Sequence, residues 1–407
     1  MIPDYFEFVS KVAVKSGHKV LEEIPEVLSS LKARKPLIIT DSGVAGAGLL
    51  DLLLNALGRD YYSLPVQRET PPDSDLAAVS KNAEIYNREG CDSIIALGGG
   101  SVMDTAKGTN ILVTEKAEDL RLFNGAGRLT KKLRPLIALP TTAGTGSEVT
   151  LVAVIADHRN KRKLLFTSPN LLPDAAILDS RMTLSLPPVL TASTGMDALT
   201  HAVEAYLCLG KNPLSDSLAF SAIKLISGNL LGVVKNPQDK AGRLAVAQAA
   251  NLAGMAFSNS MVGMVHTLGH SVGGVCGVPH GTCMAILLPY GLEYNLHKIE
   301  SPLADLLLPL AGEEEYLKTP RENRARKVIT LIREMNERLF RETGGRHYRN
   351  LGEIKTREGG ISIPREILPE IARTALGDGS VFYNPEELDF ADALRVLEAA
   401  WEGKPLL

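Results

Sequence analysis

The sequence predicts an α/β N-terminal unit built on an open, mostly parallel sheet, followed by an all-α helical C-terminal unit. Three observations carry this expectation. Short apolar runs alternate with helical patterns over the first half, the arrangement of crossover-connected parallel strands. Two of those runs pass directly into loops rich in glycine and threonine. Beyond Leu186-Pro187-Pro188 the strand-like runs stop and long helical patterns take over. The boundary is therefore set between residues 1–186 and 187–407, with Pro187 or Pro188 opening a helix.

Taken in order, Pro36 to Thr40 reads as a buried strand that ends at Asp41-Ser42-Gly43, and an apolar helix follows from about Gly48 to Leu57. Tyr61 to Val66 is a second candidate strand. Asp73 to Glu89, preceded by Pro71-Pro72, has the charge and spacing of an exposed helix. Ser93 to Leu97 is a strand running into Gly98-Gly99-Gly100-Ser101, and a helix follows from about Val102 to Leu112. Leu136 to Leu139 is a strand leading into Thr141-Thr142-Ala143-Gly144-Thr145-Gly146-Ser147. Downstream, Asp216 to Leu231 and Ala241 to Phe257 read as long helices. The charged stretch from Glu313 to Ile363 is expected at the surface.

Composition excludes several classes. The chain has 407 residues, 45% of them hydrophobic, and a formal net charge of -3, which offers no general attraction to nucleic acid or anionic membranes. The N-terminus is charged throughout and lacks the apolar core of a signal peptide. No uninterrupted apolar run approaches the roughly 18–20 residues that span a bilayer. A cytoplasmic protein is expected. Cys91, Cys208, Cys276 and Cys283 are scattered without C-x-x-C spacing, so they are expected as reduced thiols.

Four of the eight histidines fall in two short segments. On a helix, Asp197 and His201 lie one turn apart on one face, and so do His266 and His270. His280 follows in Pro279-His280-Gly281. A lone pair of this kind is usually surface or capping chemistry. Two such pairs and a further histidine in apolar surroundings are better explained by a divalent metal, because buried carboxylates and imidazoles need partners. One carboxylate and three imidazoles suit Fe2+ or Zn2+ and leave positions open for substrate.

The glycine turn at 98–101, between a strand and a helix, suits a phosphate, since free N–H groups and the helix dipole favour an anion. A plain tight turn explains it about as well. The 141–147 loop adds hydroxyls at the end of another strand, where ligands of open α/β sheets gather. Asp41 could accept hydrogen bonds from a ribose and repel a 2′-phosphate, favouring NAD over NADP. It could equally be a helix cap. The glycine turn follows this acid, whereas the ordinary dinucleotide fingerprint precedes it.

The chain resembles the iron-containing (group III) alcohol dehydrogenases over most of its length. The resemblance rests on GCDSIIALGGGSVMDTAKG (90–108), IALPTTAGTGSEVT (137–150), TGMDALTHAVEAY (194–206), the His266/His270/His280 segment through PHGTCMAILLP, and NPEELD (384–389) with the closing helix around Trp401. It implies a dinucleotide-binding α/β domain and a helical domain with the active site in the cleft between them. It also implies hydride transfer between NAD(P) and a small primary alcohol or aldehyde, in a homodimer. Asp197, His201, His266 and His280 match the metal ligands, and His270 a histidine linked to proton transfer. Gly99, Gly100 and Ser101 match the pyrophosphate turn, Thr141, Thr142 and Thr145 the second cofactor loop, and Lys163 a lysine near the cofactor ribose. Asp41 matches the acid of NAD-preferring members, and Phe257 the substrate pocket. The 313–362 stretch and Pro71-Pro72-Asp73 depart from the family pattern. A hydroxyacid–oxoacid transhydrogenase or 4-hydroxybutyrate dehydrogenase of the same superfamily is the alternative, and would need a cation for the substrate carboxylate. A non-catalytic binding or assembly protein would have lost a ligand or the glycine turn, and neither is lost.

Overall fold

The structure is a computed structural model that describes all residues except 1, 2, 59, 60, 62, 161, 355–361 and 407. The chain forms two compact units, Val9–Leu186 and Pro187–Leu407, the latter joined by Met1–Phe8. The N-terminal residues thus group with the helices and not with the sheet.

Among the described residues the α/β unit has nine strands: β1 Ala13–Gly17, β2 Pro36–Ile39, β3 Val66–Gln67, β4 Ser93–Gly98, β5 Gly125–Ala126, β6 Leu136–Pro140, β7 Val152–Asp157, β8 Arg162–Thr167 and β9 Ala175–Asp179. Six make a parallel sheet in the order β1-β9-β6-β4-β2-β3. The other three form a small sheet, β5-β8-β7, in which β7 and β8 are antiparallel. Both faces of the large sheet are covered, so its central strands are buried at every position and largely apolar instead of alternating. Leu37, Ile39, Ile94, Ala96, Leu136 and Ala138 enter the core on one face; Ile38, Ile95, Leu97, Ile137 and Leu139 enter the core on the other.

Helix Leu76–Glu89 starts where the Asp75 side chain accepts from Ala78 N and stops at Gly90, which takes a φ of 63°. Helix Gly100–Glu115 begins inside the glycine turn. The expected strand 61–66 shrinks to β3. Pro65 lacks the N–H a ladder needs, and residue 62 lies outside the described residues.

All named strands precede Ser180. The second unit is built round helix Pro188–Leu207, which is buried on nearly every side and packs against Pro213–Lys235, Lys240–Ser258 and His280–Asp305. Pro213–Lys235 has the length and hydropathy to cross a membrane. Its buried Ala219, Ala222, Ile223, Ile226 and Leu230 form the stripe of a core helix. The stretch expected at the surface is only half so. Within helix Arg321–Glu342, Ala325, Val328, Ile329, Ile332 and Leu339 recur at helical spacing and bury one face, and the helix packs on His280–Asp305. The charges occupy the other face. Residues 355–361 of that stretch lie outside the described residues. The four cysteines are free.

Candidate functional site

In the helical unit, three helices bring the four expected side chains together. Asp197 and His201 project from one turn of Pro188–Leu207, His266 from Met264–Cys276, and His280 from the first position of His280–Asp305. One donor atom from each lies within 4.8 Å of every other. Asp197 Oδ1 is 3.2 Å from His280 Nε2 and 3.7 Å from His201 Nδ1. Donors about 2.1 Å from a shared ion in tetrahedral array would be spaced by about 3.4 Å. Asp197, His201 and His266 are at most 5% exposed.

Asp197 Oδ1, His201 Nδ1 and His266 Nε2 are buried without a hydrogen-bond partner. Native proteins rarely leave three such atoms converging on one point unless something else satisfies them. Burial disfavours a charged Asp197, but the imidazoles of His201 and His280 outweigh it and hold the carboxyl well below the usual range. Burial pushes His201 down to about 3 and His266 well below its ordinary value. An anionic Asp197 and neutral His201 and His266 are the protonation states a metal requires. The residues therefore fit a divalent ion.

Two acids that sequence reasoning did not single out complete this arrangement. Glu204 Oε2 pairs with His266 Nδ1, and Glu204 Oε1 accepts from Val265 N at 2.8 Å. Burial raises Glu204 to about 7. Its signal was present, since it falls two helical turns after Asp197 on the same face. Asp378 Oδ2 lies 2.8 Å from His270 Nδ1, across 108 residues of sequence, and no local pattern announces it. The His270 side chain is 43% exposed and its ring stacks 5.3 Å from that of His280. Phe257 stacks on His201, with centroids 4.2 Å apart and planes 15° apart, so it walls the four-residue cluster directly.

In the α/β unit, the register Ile39↔Ala96 and Gly98↔Pro140 sets the carboxyl ends of β2, β4 and β6 side by side. Asp41, the glycine turn and the threonine loop follow those three ends. The chain steps from β2 to β3 in one direction and from β4 to β6 in the other, so Asp41 and Gly99 flank the switch point of the sheet. A Cβ on Gly99 would lie 3.2 Å from Thr142 Oγ1, and one on Gly100 would lie 2.9 Å from Thr145 Cγ2. A side chain at either glycine would push the threonine loop off the turn or force Thr142 and Thr145 to shift. Thr141 N donates to Gly98 O at 3.0 Å. Ser101 Oγ donates to the Pro72 carbonyl, and Lys163 Nζ meets Asp73 Oδ1 at 3.0 Å, so the Pro71-Pro72-Asp73 loop ties both expected cofactor residues to one place. Asp41 Oδ1 accepts from Val44 N at 2.8 Å as a helix cap. This cradle, with a helix N-terminus and hydroxyls round it, fits a dinucleotide phosphate.

Asp104 and Lys107 underpin the two loops and were not foreseen. Lys107, 1% exposed, donates to Thr150 O (2.8 Å), Thr150 Oγ1 (3.0 Å), Val152 O (2.8 Å) and Ser147 Oγ (3.2 Å). Ser147 Oγ in turn donates to Asp104 Oδ1 at 3.0 Å. Burial lowers Lys107 to about 8.

The sequence pattern described as "Iron-containing alcohol dehydrogenase" matches residues 12–180, and that described as "Fe-containing alcohol dehydrogenase family, C-terminal" matches 191–401. The chain is 32% identical to alcohol dehydrogenase 4 of Saccharomyces cerevisiae, over 95% of this chain and 96% of that protein. It is 30% identical to an NAD-dependent methanol dehydrogenase of Bacillus methanolicus, over 94% and 97% of the two chains. The solved alcohol dehydrogenase from Oenococcus oeni superposes with a TM-score of 0.90 at 32% identity, covering 97% of this chain and 100% of that one.

Proposed function

The chain belongs to the iron-containing alcohol dehydrogenase family, and on that premise we propose that it interconverts small primary alcohols and aldehydes by hydride exchange with NAD. The observation that carries the reading is the convergence of Asp197, His201, His266 and His280 with unpartnered donor atoms. Those four residues would hold one divalent ion, proposed as Fe2+ on the family's account, although the donor set also accepts Zn2+.

When bound, the ion supplies Lewis-acid polarisation of the substrate oxygen. The chain's own residues supply the rest. Asp197 contributes the negative charge that balances the ion, and Glu204 orients His266 through its far ring nitrogen. Phe257 covers one face of His201 and keeps water from it. His270, half exposed and braced by Asp378, is positioned to pass the hydroxyl proton to solvent. In the α/β unit, the Gly99–Ser101 turn and Thr141, Thr142 and Thr145 would hold the pyrophosphate. Asp41 and Lys163 would face the ribose. Positioning and electrostatics are the protein's contribution, and the hydride chemistry belongs to the nicotinamide.

The test uses anaerobically purified protein and follows nicotinamide absorbance over short primary alcohols, diols and hydroxyacids. It is run as isolated, after chelation, and after adding back Fe2+ or Zn2+. NAD reduction that is lost on chelation and restored best by Fe2+ is expected. Turnover indifferent to chelation would overturn the metal assignment. Metal retained without turnover on any alcohol, but with exchange between a hydroxyacid and an oxoacid, would move the chain to the transhydrogenase alternative.

A further inference from the structure

Helix Met264–Cys276 carries His266 in its first turn and starts without a cap of its own. Gly263 stands at its N-cap position and has no side chain to offer the first N–H groups. Two side chains from distant elements take them instead. Glu204 Oε1 accepts from Val265 N at 2.8 Å, and Asn384 Oδ1 accepts from Met264 N at 3.1 Å. The fit is close: a Cβ on Gly263 would lie 2.8 Å from Asn384 Oδ1 and 3.2 Å from Glu204 Oε1.

Glu204 belongs to Pro188–Leu207, the helix of Asp197 and His201. Asn384, the first residue of the NPEELD segment, reaches the third helix, His280–Asp305. Its Nδ2 donates to Asn295 Oδ1 at 2.9 Å and to Glu386 O at 2.7 Å, and Asn295 Nδ2 donates back to Asn384 Oδ1 at 3.1 Å. Asn295 is itself held, since its Nδ2 donates to Gly291 O at 2.8 Å and its Oδ1 accepts from Glu386 N at 3.2 Å. Both asparagines are 5% exposed. The pairing leaves the Asn384 amide one orientation. Turned over, its NH2 would face two donors and its oxygen two acceptors. The same stretch of chain meets the His266 helix again through Asp378 on His270.

We infer, on the metal reading proposed above, that Asn384 is a positioning residue: it fixes the first turn of the His266 helix against the helix that begins with His280, and so sets the distance between two of the four donors. A buried, fully paired amide can hold that distance because a shift of either helix leaves polar groups unsatisfied. Asn384 bonds to the backbone of Met264 and to none of the four donor side chains, so its effect passes through the helix.

Co2+ is titrated into the metal-stripped, full-length protein against a competing chelator, and its visible bands report the ligand geometry. Parent, Asn384→Ala, Asn295→Ser and Tyr294→Phe are compared, with urea unfolding of each metal-free protein. Tyr294 is the control, since its hydroxyl ties the same segment to the same helix through Glu387 O and Asp392 Oδ2 without reaching Met264. Asn384→Ala is expected to weaken Co2+ binding by about tenfold and to shift the bands. Asn295→Ser should do so less, and Tyr294→Phe should lose stability alone. Unchanged affinity and bands in both asparagine variants overturn the assignment. So does a loss in Tyr294→Phe that matches Asn384→Ala, because the segment would then act by general packing. Should Asn384→Ala not fold, Asn295→Ser against Tyr294→Phe decides in the same way. A parent protein that takes up no Co2+ overturns the metal reading itself, and the role of Asn384 with it.

Discussion

Glu204 and His266 form a buried carboxylate–imidazole pair in which Nδ1 faces the acid and Nε2 faces the other three donor side chains. The acid decides which ring nitrogen carries the proton and so which one is free for an ion. Glu204→Gln can still accept from Val265 N, but its amide N–H would favour the opposite tautomer of His266. Metal affinity should fall by about 10–100-fold with the fold intact. Competition against a chelator of known affinity checks this, with circular dichroism as the control.

His270 lies beside the cluster of four donors without joining it, and its Nδ1 is held by Asp378. His270→Ala should lower turnover by about 10²-fold or more, the usual scale of a lost general acid–base group, while metal content stays near that of the parent. Asp378→Asn should give a smaller loss in the same direction. Equal loss of metal in His270→Ala would instead make His270 a ligand.

Asp41 has two readings, and one substitution separates them. Asp41→Ser keeps an oxygen for the Val44 N–H and so preserves the cap, yet removes the charge. If the carboxylate repels a 2′-phosphate, the ratio of kcat/KM for NADP to that for NAD should rise by roughly tenfold or more. A cap alone predicts an unchanged ratio.

Lys107 fills the space under the two loops with an ammonium that reaches four acceptors. Lys107→Met leaves Asp104 buried without its principal counter-charge and takes the ammonium donor from the Thr150 and Val152 carbonyls. Stability should fall by about 3–5 kcal/mol, the scale of a broken buried charge cluster. Urea unfolding followed by fluorescence and circular dichroism measures it.

His347 supplies the pH dependence most open to test. It is 3% exposed, with Nε2 3.0 Å from Asn336 Oδ1, and burial pulls it from 6.5 down to about 4. The unfolded chain therefore takes up this proton first as pH falls, so stability declines from about pH 6.5 to about pH 4 and levels off below. The contribution is about 3 kcal/mol over that window. His347→Gln should flatten that part of the profile of urea midpoint against pH.

Much of this was legible in the sequence because its causes are local. Ser93–Gly98 and Leu136–Pro140 are short, apolar apart from Ser93 and bounded by turn residues, and both are strands. Asp197 and His201 are one helical turn apart, so secondary structure alone brings them together. The small sheet of β5, β7 and β8 escaped notice. β8 reads Arg162-Lys163-Leu164-Leu165-Phe166-Thr167, where two charges and an exposed Leu165 blur the alternation. β1 is an edge strand with an exposed Val14, and its pattern is equally weak. The amphipathic face of Arg321–Glu342 was hidden by the number of its charges.

The sequence by itself determined the fold class, the two loops at strand ends and the four side chains with metal-ligand chemistry. Each of these follows from periodicity, turn chemistry or residue type within a few neighbours. Only the tertiary structure decided what surrounds them: Glu204 behind His266, Asp378 behind His270, Phe257 against His201, and Lys107 beneath the threonine loop. Such pairings join residues as far as 108 positions apart. They are set by which helices and strands pack together, and packing is a property of the whole folded chain that no local window contains.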